Sequence, residues 1–199
     1  MTRGTHQVGA FATGLGVLVA LGSGTLNLTA LKVDLGLLNI PMTAPPADLT
    51  SLIGFFIGAL LGGTAPDLDK PRRVWARALA HTTFGGHRHL SHSLIGLFLA
   101  SIVVGLALGR MGPAIGVSPT LPFLGFVGGY ASHIILDSLT IEGVPWFFPF
   151  QTYLGFPPWS KLRVKTGSLI EQLLVMPALL ALIGWIGYRY GGILLRWWG

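Results

Sequence analysis

Five apolar runs, interrupted by glycine but almost free of charge, dominate the chain: about Val8 to Leu26, Leu49 to Gly63, Ser93 to Gly109, Leu121 to Leu139 and Leu169 to Tyr188. A hydrocarbon core of about 30 Å takes roughly 20 apolar residues in helix. The pattern therefore predicts an all-α, integral membrane helical bundle with about five transmembrane helices, the second and third runs being short for full spans. The first run follows Arg3, but it is long and no small-residue cleavage site closes it, so it is expected to be a retained span rather than a signal peptide. Gly54, Gly58 and Gly62 recur every fourth residue, a spacing that lets helix backbones approach closely in lipid. Between the first two runs, Leu31 to Ile40 is apolar enough to lie flat in the membrane interface, and Pro41, Pro45 and Pro46 exclude a continuous helix.

Composition agrees with that reading. Of 199 residues, 51% are hydrophobic and only 10% charged, against about one-quarter charged in a soluble domain. No linker or soluble module interrupts the chain, so residues 1–199 are taken as one domain. The absence of cysteine excludes a disulfide scaffold or a thiolate metal site. The formal charge of +6 reports topology here rather than a nucleic-acid partner. With the N-terminus inside, nine of the thirteen Lys and Arg fall on inner segments: Arg3, Lys70, Arg72, Arg73, Arg77, Arg88, Lys161, Arg163 and Lys165. The expectation is a multi-pass inner (plasma) membrane protein.

The scarce titratable residues then gather on the same side. All six histidines lie in or beside the inner segments, with five of the seven acids: Asp67, Asp69, Asp137, Glu142 and Glu171. Imidazole and carboxylate are ligands that divalent metals favour. His133 and Asp137, four residues apart, share one helix face within an apolar run, and ionisable groups in a span point to function. The competing reading is a hydrogen-bonded pair that only holds helices together. Asp67 and Asp69, flanked by Pro66 and Pro71, read as a rigid extended turn in which one carboxylate faces the site and the other faces away. In Gly85-Gly-His87-Arg88-His89-Leu-Ser91-His92-Ser93, Ser91 is the expected helix N-cap and Arg88 a fork donor for phosphate, although such a basic loop also suits anionic lipid headgroups. His6, just before the first run, is a further ligand candidate; His81 is left aside. Glu171, at the start of the fifth run, reads as a helix N-terminal acid or a base. Trp146, Trp159, Trp185, Trp197 and Trp198 suit interfacial anchoring.

Taken together, Thr5-His6, Pro66-Asp67-Leu-Asp69, His87-Arg88, Ser91-His92-Ser93, Ser132-His133-x3-Asp137-Ser138-Leu-Thr140 and Gly143-Val-Pro145 resemble the membrane-bound metal-dependent hydrolases of the YdjM type. That is a family of LexA-regulated inner-membrane hydrolases whose substrates are poorly defined. The resemblance covers the N-terminus and most of residues 58–150. It implies a metal set of Asp67 or Asp69, His87, His92, His133 and Asp137, with His6 in addition; His89 departs from the family, which usually has a small residue there. A more distant similarity to zinc phospholipase C implies phosphate-ester hydrolysis. Other classes fit less well. Acid-phosphatase-type lipid phosphatases need an Arg where Val127 stands, and Asp67 with Asp69 lacks the helical aspartate spacing of CDP-alcohol phosphotransferases. Ser132 and His133 point to different faces and make a poor protease dyad.

The expected function is thus a divalent-metal-dependent hydrolase, holding one to three ions, most plausibly Zn2+. It would act on a phosphate ester of a lipid or lipid-linked substrate at the cytoplasmic face through an activated water. Asp69 or Glu171 would accept the proton and Arg88 would clamp the anion. The alternative is a proton- or cation-coupled transporter using His133 and Asp137, and a third reading is a structural membrane protein with a lipid-binding basic loop. Oligomeric state is left open.

Overall fold

A computed structural model of the chain describes residues 1–26, 48–69, 89–114, 116–150 and 152–196, with the side chain of Asp69 outside that set. Among the described residues the bundle has five α-helices: α1 (Arg3–Gly22), α2 (Leu49–Gly62), α3 (Leu94–Ala114), α4 (Thr120–Ser138) and α5 (Met176–Leu195). A π-helical turn, Glu171–Val175, leads directly into α5. The expected interfacial segment 31–40, the basic segment 70–88 with His81, His87 and Arg88, and Trp197 and Trp198 lie outside the described residues.

Local chemistry sets the helix starts. Thr2 caps α1 by accepting from the Thr5 N–H at 3.4 Å, so the helix begins five residues ahead of the apolar run and takes His6 into its first turns. Asp48 caps α2 through the Ser51 N–H at 2.7 Å. At α3 the cap is Ser93 rather than the expected Ser91: its hydroxyl accepts from the Gly96 N–H at 3.1 Å. The Asp67–Asp69 segment is a tight 3-10 turn (Ala65–Asp69), not extended backbone, because fixed φ at Pro66 suits the first turn of a helix.

Among the described residues, three helices are long and apolar enough to cross a membrane: α1, α3 and the continuous Glu171–Leu195 helix. At 14 residues α2 is shorter, as its apolar run suggests, about 21 Å at 1.5 Å per residue. The third run, expected to be short for a span, lies in a helix of 21 residues that continues to Ala114. Helix α4 carries histidine, aspartate, serine and three glycines because it is the inner helix, buried along most of its length by α1, α2 and α3. A helix shielded from lipid need not be apolar all round.

The closest packing joins α2 to α4. A Cβ on Gly58 would lie 2.2 Å from Pro122 O, and one on Gly62 would lie 2.1 Å from Phe126 O. Reciprocally, a Cβ on Gly125 would meet Phe55 O at 2.1 Å and one on Gly129 would meet Ala59 O at 2.0 Å. Small residues on both helices thus bring the two backbones into contact, as the four-residue glycine spacing predicts. Leu18, Leu52, Phe55 and Leu121 fill the core toward one end, and Phe126, Tyr130, Ile134 and Val144 toward the other.

Residues 139–170 form an irregular cap at the C-terminal end of α4. Single bridges pair Thr140 with Val164 and Val144 with Leu154. The Arg163 guanidinium donates to Pro157 O at 2.7 Å and Pro158 O at 2.8 Å, and the Leu94 N–H donates to Trp146 O at 3.0 Å. The cap is thereby tied to itself and to α3.

Gly129→Ala is expected to destabilise the bundle by about 1–3 kcal/mol or more, since the added methyl meets backbone that cannot yield. Gly16→Ala, where a Cβ meets nothing within 4 Å, should leave stability unchanged; thermal unfolding in detergent compares the two.

Candidate metal centre

The N-terminal turns of α1, the end of α2 with its 3-10 turn, the turn ahead of α3 and the last turns of α4 converge on one point. Each contributes polar side chains: His6 from α1, Asp67 after α2, His92 before α3, and His133 with Asp137 from α4. His6, His92, His133 and Asp137 are all buried to within 1% exposure. Asp67, with a side chain 19% exposed, marks the open edge.

Hydrogen bonds aim the rings. His133 Nδ1 lies 2.8 Å from Gly63 O, and a carbonyl only accepts, so Nδ1 carries the proton and Nε2 presents its lone pair inward. His92 Nδ1 pairs with Ser91 Oγ at 2.8 Å, leaving its Nε2 to face the cluster. Ser91 is held in turn, its carbonyl accepting from the Tyr130 hydroxyl at 2.6 Å. His6 stacks on His133 with ring centroids 3.6 Å apart and planes 9° from parallel. These are the outer-shell supports typical of metal-binding imidazoles.

The donor separations are those of a coordination polyhedron. His133 Nε2 is 3.3 Å from His92 Nε2 and 3.6 Å from Asp137 Oδ2, and His92 Nε2 is 3.5 Å from that same oxygen. Asp67 Oδ1 lies 3.8 Å from both imidazole nitrogens, as a fourth vertex. Around a tetrahedral zinc with bonds of about 2.0–2.2 Å, neighbouring donors are roughly 3.3–3.6 Å apart. A second grouping joins His6, His133 and Asp137.

One further observation fits a cation here. His6 Nε2 approaches Asp137 Oδ1 to 3.1 Å, but without hydrogen-bond geometry, and neither ring nitrogen of this buried imidazole has a hydrogen-bond partner among the described residues. Such a group is costly unless something else satisfies it. Asp137 Oδ1 also contacts the Met1 nitrogen. The donor set, nitrogen and carboxylate oxygen without thiolate, suits zinc and related divalent ions.

Of the residues nominated from sequence, the structure brings together His6, Asp67, His92, His133 and Asp137. His87 and Arg88, and the side chain of Asp69, lie outside the described residues. His89 is outside both ligand groupings; its Nε2 lies 3.2 Å from the Tyr153 hydroxyl on the surface. Glu171 also stands outside both groupings. Its carboxylate accepts from the Thr2 N–H at 2.6 Å, the Thr5 hydroxyl at 2.6 Å and the Gly167 N–H at 2.7 Å. Sequence reasoning overlooked Tyr130 and the Gly63 carbonyl. Tyr130 is one helical turn before His133 on α4, a spacing that does point to a shared face; no sequence signal marks a backbone carbonyl.

Fold and site together define a class: an apolar, membrane-type helical bundle with a buried histidine–aspartate cluster at one end. The family model for the YdjM inner membrane protein matches residues 1–198, and the chain belongs to that family. Inner membrane protein YdjM of Escherichia coli (strain K12) is 32% identical over 126 residues, 59% of this chain and 59% of that protein, and its Shigella flexneri counterpart matches equally. The uncharacterized protein YvsG of Bacillus subtilis (strain 168) is 32% identical over 96 residues, 48% of this chain and 52% of that one. The alignments thus span about three-fifths or less of these curated relatives. No solved structure matches the chain.

Tyr130→Phe is expected to leave the fold intact while lowering zinc affinity about tenfold, the lower end for outer-shell residues. Competition with a chromogenic chelator measures it, and equal affinity would separate His92 placement from the tyrosine.

Proposed function

We propose that this protein is a membrane-embedded, divalent-metal-dependent hydrolase acting on a phosphate ester of a lipid or lipid-linked substrate at the cytoplasmic face. The observation that carries the reading is the convergence of His92 Nε2, His133 Nε2 and Asp137 Oδ2 at 3.3–3.6 Å from one another, with Asp67 at the open edge. Histidine and carboxylate ligands with one accessible side are the arrangement of catalytic rather than purely structural zinc. A divalent ion bound there supplies Lewis acidity toward a phosphoryl oxygen and a more acidic water.

The chain's own groups divide the remaining work. The Gly63 carbonyl and Ser91 hold His133 and His92 in the orientation that leaves both Nε2 atoms facing inward. His6, His92, His133 and Asp137 are buried whereas Asp67 is partly exposed, so substrate approaches past Asp67. Asp69 takes a proton from the attacking water as its oxygen bonds to phosphorus; the ester P–O bond breaks and that proton passes to the departing alcohol oxygen. Arg88 supplies the anion clamp. A lipid-phase substrate is favoured because the centre sits at one end of an apolar helical bundle.

A proton or cation relay is less well supported. Every titratable side chain of α1, α2 and α4 lies at the centre's end of the bundle: Arg3, His6, Tyr130, His133 and Asp137. The opposite end is packed by Leu18, Leu52, Phe55 and Leu121.

Protein purified without chelator should contain stoichiometric zinc or a related ion by elemental analysis. His133→Ala and Asp137→Ala should lose that metal while keeping their helical circular dichroism. Release of phosphate or a phosphorylated headgroup from mixed phospholipid micelles should fall to background in both. Metal-free wild-type protein, or hydrolysis that persists in both variants, would sink the proposal.

A further inference from the structure

Glu171 is fully buried at the start of a helix long and apolar enough to cross a membrane, yet it belongs to neither ligand grouping. An ionised group at such a position is expensive and calls for a purpose. We infer that Glu171 is a positioning residue: it clasps the first turn of α1 and thereby sets the direction in which His6 enters the metal centre. The inference rests on the metal-centre reading above.

The geometry is that of a helix cap supplied from another helix. Thr2 N–H is one of the unpaired donors at the start of α1, and Glu171 Oε1 accepts it at 2.6 Å while also accepting from the Thr5 hydroxyl at 2.6 Å. The other oxygen, Oε2, accepts from the Gly167 N–H at 2.7 Å. Gly167 has φ +76°, a left-handed conformation in which glycine is unstrained, and this turns its N–H back toward the carboxylate. One carboxylate therefore joins α1, the cap and the π turn that opens the last helix.

Thr5 and His6 are consecutive, so their side chains leave α1 about 100° apart, a helical residue's share of a turn. Fixing the Thr5 hydroxyl on Glu171 fixes the rotation of α1 about its axis, and His6 follows. Beyond His6 the buried face of α1 consists of Gly9, Ala10, Ala12 and Gly14 before Leu18, residues that pack closely but offer no polar side chain to anchor the helix by a hydrogen bond. The His6 ring then lies stacked on His133, its nitrogens without a hydrogen-bond partner among the described residues.

Cobalt(II) is the probe, because its visible spectrum reports coordination directly. Glu171→Ala is expected to weaken cobalt binding about 10- to 100-fold, as outer-shell losses do. Its spectrum should match that of His6→Ala, and the double variant should bind no more weakly than His6→Ala alone, since both changes remove one effect. Glu171→Gln keeps an oxygen for Thr2 and Thr5 and should restore the spectrum toward wild type, which a proton-accepting role would not allow. A Glu171→Ala variant with wild-type affinity and spectrum, or losses that add in the double variant, would overturn the clasp. If Glu171→Ala fails to fold, Thr5→Val takes its place in the same cycle with the same readings. Wild-type protein that binds no cobalt would overturn the metal centre and the clasp together, whereas wild-type binding with an indifferent Glu171→Ala overturns the clasp alone.

Discussion

Backbone contact between α2 and α4 is the constraint on which the rest of the structure depends. Gly58, Gly62, Gly125 and Gly129 leave no room for a side chain between the helices. Because the backbones touch, the carbonyl at the end of α2, Gly63 O, comes within 2.8 Å of His133 Nδ1 on α4. A bulkier seam would hold the helices several ångströms farther apart, and that hydrogen bond would be lost. The bond sets the tautomer of the central imidazole. A packing device that is common in membranes here fixes the chemistry of a single ring.

The polar end is built by satisfying groups that lipid would leave unpaired. Ser93 caps α3, Thr2 and Glu171 cap α1, and Arg163 fastens the irregular cap through two proline carbonyls. Non-helical backbone near a bilayer persists only when its donors and acceptors find partners within the protein. Against that background the ring nitrogens of His6, without a hydrogen-bond partner among the described residues, are an exception, and the convergence of His92, His133, Asp67 and Asp137 beside them gives the exception a meaning. The same residues that would make a poor hydrophobic core make a consistent cation site.

Membership in the YdjM inner membrane protein family fits the helical bundle, and the histidines and aspartates provide groups able to hold a metal. The hydrolytic reading is carried by the site's own geometry: inward lone pairs, donor spacings near those of tetrahedral zinc, and one side open past Asp67.

Much of this was legible along the chain. Apolar runs located every helix to within several residues, because burial in lipid demands an unbroken apolar stretch. The four-residue spacings marked His133 with Asp137 and the glycine seam, because helical periodicity places such residues on one face. What the chain alone left undecided involves distance between segments. Asp67, His92 and His6 are recruited from three separate elements, the Asp67 turn is 3-10 rather than extended, and Glu171 grips α1 from about 165 residues away in sequence. Local propensity sees neighbours a few residues apart. Only the folded bundle decides which carbonyl faces a histidine and which carboxylate faces a helix end, since those hydrogen bonds exist only once helices distant in sequence have packed.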